Sequence, residues 1–177
     1  MSDKYSVASL FCGCGGSDLG ILGGFNYLDK RYKRLPFEIS FAVDVNQKAV
    51  NTYNSNFKHP AVCEDIRKIN FKELPSVDLV VGGFPCQSFS TVNPTKDTSD
   101  DRSELYKEMA RALRVLKPKV FVAENVKGML QLKKGEIFKN IETAFSKAGY
   151  NVSYQIINAA DFGVPQKRER VFLVGIR

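Results

Sequence analysis

The sequence predicts an α/β fold, a doubly wound and mostly parallel sheet of seven strands with helices on both faces and an antiparallel strand at one edge. Three observations predict it. Short apolar runs recur with helical patterns between them, as parallel strands joined by crossover helices do. A glycine-rich turn from Gly13 to Gly16 follows the first run and opens a helix. The last two runs have no helical pattern between them, only residues 158–170, so they are expected to pair as an antiparallel edge.

The strands are expected at 5–11, 37–43, 61–63, 77–81, 120–123, 152–157 and 171–176. The first ends in Phe11-Cys12-Gly13-Cys14-Gly15-Gly16, and the polar, basic stretch 26–36 after its helix reads as a surface loop. The second ends in Asp44-Val45, the third in Asp65-Ile66, and the fourth in Gly82-Gly83-Phe84-Pro85-Cys86-Gln87-Ser88. Residues 88–101 are rich in Ser, Thr and Asp, contain Pro94 and lack periodicity, which predicts a mobile loop beside Cys86. Leu105, Met109, Ala112, Leu113 and Leu116 then share one helix face behind the candidate caps Asp100 and Asp101. The fifth strand ends in Glu124-Asn125-Val126. Ile137, Ile141, Phe145 and Ala148 mark another helix, closed by Gly149.

A chain of 177 residues, 44% hydrophobic, can bury one substantial core, so 1–177 reads as a single domain. Four cysteines without a disulfide framework and no signal-peptide pattern indicate a reducing, cytoplasmic setting, nucleoid-associated if the source is bacterial. No apolar stretch approaches the roughly 20 residues that span a bilayer. The net charge of +7 is uneven: residues 1–101 carry 11 Lys+Arg against 12 Asp+Glu, and residues 102–177 carry 15 against 7. An excess of basic groups in the second part suits a polyanion, and equally a solvated basic face.

Cys86 follows a proline just past an apolar run, where a parallel strand delivers a nucleophile into a cleft. Its other reading is a buried small hydrophobe. Pro85 fixes the backbone, and the preceding glycines admit a planar ring. A free thiol titrates at about 8.5, so attack at neutral pH requires nearby positive charge or a helix N-terminus, and Arg168 and Arg170 are candidates for the charge. Glu124, 38 residues further on, brings a carboxyl group to the same sheet edge, as an acid or as a cap or salt-bridge partner. The glycine turn can bring backbone N–H groups to a nucleotide-like ligand or be a tight turn without one, and Asp18 stands where a dinucleotide fingerprint expects its third glycine. Asp44 can bind ribose hydroxyls and Asp65 an adenine amino group, and each can instead be a helix cap. Alternation sends Gln166, Arg168 and Arg170 to one face that could grip phosphate or a base edge. His59 with Cys63, and Cys12 with Cys14, lack the ligand set and spacing of a metal site, so no metal is assigned.

In this order the motifs resemble the cytosine-5 DNA methyltransferase family, from about residue 7 to 177. The loop with Phe11, Gly13, Gly15 and Gly16 is similar to that family's S-adenosylmethionine motif, although Ser9 stands where an Asp is usual. The resemblance implies a Rossmann-like class I methyltransferase fold and a cofactor held by that loop with Asp44, Val45, Asp65, Ile66, Pro85 and Leu105. It implies a catalytic group of Cys86, Gln87, Glu124, Arg168 and Arg170, with Ser88, Gln166, Arg168 and Arg170 against duplex DNA. Cys86 would add to carbon 6 of a flipped-out cytosine, and S-adenosylhomocysteine would be the product. Complete single-chain members continue into a target-recognition domain and a terminal helix that covers the cofactor. These parts are expected to be absent here, so a missing C-terminal region or a second subunit would supply them. The alternatives are an RNA cytosine-5 methyltransferase, a non-catalytic nucleic-acid-binding fragment and, more distantly, a nicotinamide oxidoreductase.

Overall fold

In a computed structural model that describes residues 4–85 and 104–177, the apolar runs become strands of one sheet. β1 (Tyr5–Leu10) leads through the glycine turn into α1 (Gly16–Leu22), followed by β2 (Asn26–Tyr27), β3 (Lys30–Arg31), β4 (Phe37–Asp44), α2 (Gln47–Asn56), β5 (Val62–Cys63) and β6 (Leu79–Gly82). Beyond residue 103 come α3 (Leu105–Leu116), β7 (Val120–Val126), α4 (Glu136–Lys147), β8 (Asn151–Asn158) and β9 (Glu169–Ile176). The sheet order is β5-β4-β1-β6-β7-β9-β8. β1 is parallel to both β4 and β6, β5 to β4, and β7 to β6. From β1 the chain winds outward first through β4 and β5 and then through β6 and β7. The order therefore reverses between β1 and β6, and the crevice outside their carboxyl ends is where such sheets bind ligands.

β9 runs antiparallel to both β7 and β8, so the reversed strand sits one place in from the edge and β8 forms the edge itself. This pairing lengthens the flanking strands. β7 continues past Ala123 to Val126, opposite Arg170, and β9 begins at Glu169. The stretch 26–36, expected as a loop, instead holds the β2–β3 ribbon. Its turn residues Leu28 and Asp29 both adopt positive φ, 47° and 53°. That is the turn geometry two-residue hairpins need, reached without the usual Asn-Gly signal. The predicted loop 88–101, with the caps Asp100 and Asp101, lies outside the described residues. The first described residue before α3 is Glu104, whose side chain makes no cap bond.

Strand alternation divides the core between the two faces of the sheet. On one face Ala8, Leu10, Val80, Phe121 and Ala123 pack against Met109, Ala112 and Leu113 of α3 and Ile141 and Phe145 of α4. On the other, Val7, Ala42, Leu79 and Val81 meet Leu22 of α1 and Val50 and Tyr53 of α2. This second face changes character towards β7 and β9. Leu79, Val81, Val122 and Phe172 line an open cavity of about 580 Å³ beside α1. It adjoins a second, of about 370 Å³, lined by Tyr5, Phe37, Leu79, Val120 and Val122.

Candidate active site at the carboxyl ends of the strands

The turn after β1 is tied to the end of β4 by one carboxylate. Asp44 Oδ2 accepts from the backbone N–H of Gly13 at 2.8 Å, and its Oδ1 accepts from the N–H of Asn46, also at 2.8 Å. Asp44 does not cap α2. Asn46 does, accepting from the N–H groups of Lys48 at 3.0 Å and Ala49 at 3.2 Å. Asp65 does cap, accepting from Arg67 N–H at 3.0 Å at the head of a short 3-10 turn. Its carboxylate also binds the Arg67 guanidinium at 2.6 Å, which holds the carboxyl below its usual range. Gly15 has φ +92°, and a Cβ there would lie 2.2 Å from Phe57 Cε2, so this glycine serves close packing against the end of α2.

These strand ends surround a cavity of about 510 Å³ whose lining includes Phe11, Asp44, Val45, Asp65, Ile66, Pro85 and Leu105. All seven were singled out from sequence as cofactor residues. Gly13, Gly15 and Gly16 are not among the lining residues; they shape the turn behind it. The rim also carries Glu64, which pairs with Lys68 at 3.2 Å as Asp65 pairs with Arg67, whereas Asp44 is held by backbone N–H groups.

Glu124 opens onto the other side of Phe11. The β6–β7 ladder ends at the pair Gly82 and Ala123, so Glu124 is the first β7 residue beyond it, although still inside a strand because β9 continues the pairing. Glu124 and Phe11 both line the 580 Å³ cavity, and Phe11 and Gly83 border both cavities. Phe11 adopts φ +56°, a costly conformation for a bulky residue, at this boundary. A Cβ added at Gly83 would lie 3.4 Å from Glu124 Oε2, so the chain leading towards Cys86 passes close over that carboxylate. Arg170 Nε lies 3.0 Å from Glu124 Oε1, a partly buried ion pair that realises the salt-bridge alternative for Glu124.

The expectation that Gln166, Arg168 and Arg170 share one strand face requires correction. β9 starts at Glu169, and just before it the Arg168 carbonyl, accepting from Ala159 N–H at 3.0 Å, continues towards the β8 side, while the N–H groups turn elsewhere. Gln166 N–H donates to the Val164 carbonyl at 2.7 Å, while Arg168 N–H donates to Asn158 Oδ1 at 3.0 Å. Gln166 and Arg168 are exposed in this connection, and of the three only Arg170 belongs to the strand. Cys86, Gln87 and Ser88 lie outside the described residues.

Sequence reasoning missed a buried carboxylate. Asp18, noted there only for breaking a glycine pattern, is fully buried in the first turn of α1. It accepts from Ser9 Oγ at 2.6 Å and from the Tyr53 hydroxyl at 2.7 Å. Burial raises its carboxyl above the ordinary range, and the two hydroxyls pull it partly back. Ser9, the departure from the family's usual Asp, is thus engaged with an acid from the neighbouring helix. Burial, with the carboxylates of Asp18 and Asp44, pushes the Cys12 thiol up to about 12 and leaves it inert. The one available signal was an acidic residue set among the glycines and leucines of a short helix.

Among the described residues no group of three or more His, Cys, Asp or Glu is placed to hold a metal ion. None of their helices is long and apolar enough to cross a membrane.

A doubly wound sheet with a ligand-sized cavity where its strand order reverses defines an open α/β protein of Rossmann-like architecture with its candidate site at the topological switch point. More narrowly, the chain belongs to the C-5 cytosine-specific DNA methylase family, whose model matches residues 5–177. It is 44% identical to the type II methyltransferase M.BspRI of Lysinibacillus sphaericus, over 99% of this chain and 45% of that protein. It is 43% identical to the type II methyltransferase M.FnuDI of Fusobacterium nucleatum, over 97% of this chain and 46% of the relative. The chain therefore spans about half the length of the curated relatives it matches. Among solved structures, a protein assigned as a DNA modification methyltransferase encoded within an E. coli prophage superposes with TM-score 0.78 at 32% identity, covering 98% of this chain and 47% of that one. The S. pombe Dnmt2 methyltransferase shares the fold, with TM-score 0.72 at 24% identity over 98% of this chain and 51% of its own.

Proposed function

We propose that this chain is the catalytic region of a DNA (cytosine-5-)-methyltransferase that acts on a cytosine flipped out of duplex DNA. One observation carries the reading: a nucleoside-sized cavity and the Glu124–Arg170 pair meet across Phe11 and Gly83, at the point where the chain turns towards Cys86. The donor cavity suits S-adenosylmethionine. Its apolar walls, Val45, Ile66 and Leu105, accommodate an adenine, and Asp44 and Asp65 offer acceptors to hydroxyl and amino groups. When bound, S-adenosylmethionine supplies the sulfonium methyl group that carbon 5 takes, leaving S-adenosylhomocysteine.

The chain's own residues prepare the base. Cys86 adds as thiolate to carbon 6, and Glu124 holds a proton at ring nitrogen 3 so that charge does not build up on the ring. Arg170 orients Glu124 through their ion pair, and Gln87 belongs with Cys86 to the catalytic group. Loss of the carbon 5 proton and of the Cys86 sulfur then restores aromaticity. Ser88, Gln166 and Arg168 contact the strand from which the base is drawn, an arrangement favoured by the exposure of Gln166 and Arg168. Target recognition lies in the half of the relatives' length that this chain does not span, either in one polypeptide or in a second subunit. The same region would cover the apolar face formed by Leu79, Val81, Val122 and Phe172.

Labelled S-adenosylmethionine and duplex DNA bearing 5-fluorocytosine test the reading, with and without a candidate partner. The expected result is a covalent protein–DNA adduct, lost in Cys86→Ala. Preferential labelling of RNA, or binding to DNA without adduct under every condition, would refute it.

A further inference from the structure

Asn125 is only 3% exposed and follows Glu124 on β7. Alternation turns Glu124 to the cavity side of the sheet and Asn125 to the face covered by α3 and α4. There its Nδ2 donates to the carbonyl oxygen of Phe84 at 3.0 Å, in a buried hydrogen bond. Its Oδ1 accepts from the N–H of Val126 at 2.8 Å, which fixes the orientation of the amide.

The peptide held in this way joins Phe84 to Pro85. Proline nitrogen carries no proton, so the carbonyl is the only hydrogen-bonding group of that peptide. Phe84 lies beyond the last pair of the β6–β7 ladder, Gly82 with Ala123. Its ring is buried against Phe145, with centroids 6.3 Å apart. Proline also fixes its own φ, so the direction in which the chain leaves Pro85 follows from the tilt of the peptide before it.

We propose that Asn125 is a positioning residue that sets the Cys86 thiol by fixing the Phe84–Pro85 peptide plane. Adjacent residues of one strand then register the acid and the nucleophile on the same base, Glu124 directly and Asn125 through the backbone. The inference rests on the reading of Cys86 as nucleophile.

The test is the rate of adduct formation with 5-fluorocytosine duplex DNA, in a preparation that carries out methyl transfer. Asn125→Ala should lower that rate on the order of 10²-fold, the scale expected when a reacting group is displaced by about 1 Å, with DNA affinity unchanged. Asn125→Asp keeps the acceptor for Val126 and replaces the donor towards Phe84 by a carboxylate oxygen. Its rate relative to the unsubstituted protein should rise as pH falls, because a protonated carboxyl can again donate to that carbonyl. A side chain that only filled space would give a ratio flat with pH, and that result overturns the proposal. If the Asp variant does not fold, Asn125→Ser decides: its shorter side chain cannot reach the carbonyl, so an unchanged adduct rate overturns the proposal and a fall supports it. Failure of the unsubstituted protein, like Cys86→Ala, to form adduct would refute the nucleophile reading itself and the inference with it.

Discussion

Tyr53→Phe removes one hydroxyl from the interior and keeps the ring, which stacks on Phe57 with centroids 4.3 Å apart. The lost hydroxyl donates to Asp18 Oδ2 at 2.7 Å. No cationic side chain pairs with Asp18 among the described residues, so the carboxylate depends on this donor and on Ser9. A hydrogen bond to a charged group contributes about 1.5–3 kcal/mol. For a domain of this size each kcal/mol moves the melting temperature by about 2–4 °C, so the variant should melt about 3–12 °C lower near neutral pH. The sign of the pH dependence follows from the raised Asp18 carboxyl. A raised folded-state value means that stability is greatest below the ordinary value of 3.8 and declines as pH climbs through the raised one, as the buried group takes on charge. The Tyr53 bond lessens that decline. The deficit of Tyr53→Phe should accordingly be smallest in acid, where Asp18 is protonated, and should grow as pH rises through the window. Thermal unfolding of Tyr53→Phe, Asp18→Asn and the double variant, followed by circular dichroism at acid and neutral pH, measures both effects. A Tyr53→Phe deficit that is the same with and without Asp18→Asn, or one independent of pH, would refute a charged Asp18 as the acceptor.

Two further substitutions probe the donor side. Asp44→Ala strips the acceptor from the N–H groups of both Gly13 and Asn46, so the dissociation constant for S-adenosylmethionine, read by calorimetry, should rise by roughly tenfold or more. An unaltered constant would remove Asp44 from the donor site. Gly15→Ala should lower the melting temperature. The left-handed backbone alone costs about 1–2 kcal/mol for a residue with a Cβ, and the new methyl group would meet Phe57 at 2.2 Å; a melting temperature equal to that of the unsubstituted protein would sink the packing role assigned to this glycine.

The strands were legible because their signal is local. Apolar runs such as 77–81 and 120–123 mark buried parallel strands whatever lies beside them. What pairing adds was not legible. Residues 124–126 are polar or sit next to polar residues, and they extend β7 only because β9 lies antiparallel beside them. The β2–β3 ribbon escaped notice because Leu28 and Asp29 take a left-handed turn that their residue types do not advertise. At the site, strand-end position was enough to gather Asp44 and Asp65 around one cavity, whereas Leu105, at the start of α3, was reached only through the family resemblance. Position did not say what each carboxylate does there: Asp44 bridges two backbone turns, whereas Asp65 caps one and pairs with Arg67. Asp18 and Asn125 were passed over because polarity in a sequence reads as exposure, and only the fold shows a polar side chain enclosed with its partners.

Both buried polar groups serve places where regular structure stops. Asn125 supplies a donor to a carbonyl just past the end of β6, and Asp18 accepts from β1 and α2 where the glycine turn leaves the sheet. Asn125 ties β7 to the end of β6, and Asp18 ties α1 to β1 and α2, so each joins elements that backbone pairing does not join at that point. A side chain that joins two elements in this way is held rigidly by burial, and once buried it must be hydrogen-bonded or the fold loses more than the contact contributes. Asp18 lies in the helix whose Ser17, Gly20 and Ile21 line one cavity, and Asn125 holds the carbonyl of Phe84 between the lining residues Gly83 and Pro85. Substitutions at either residue should disturb the ligand cavities before they disturb the outer strands β5 and β8.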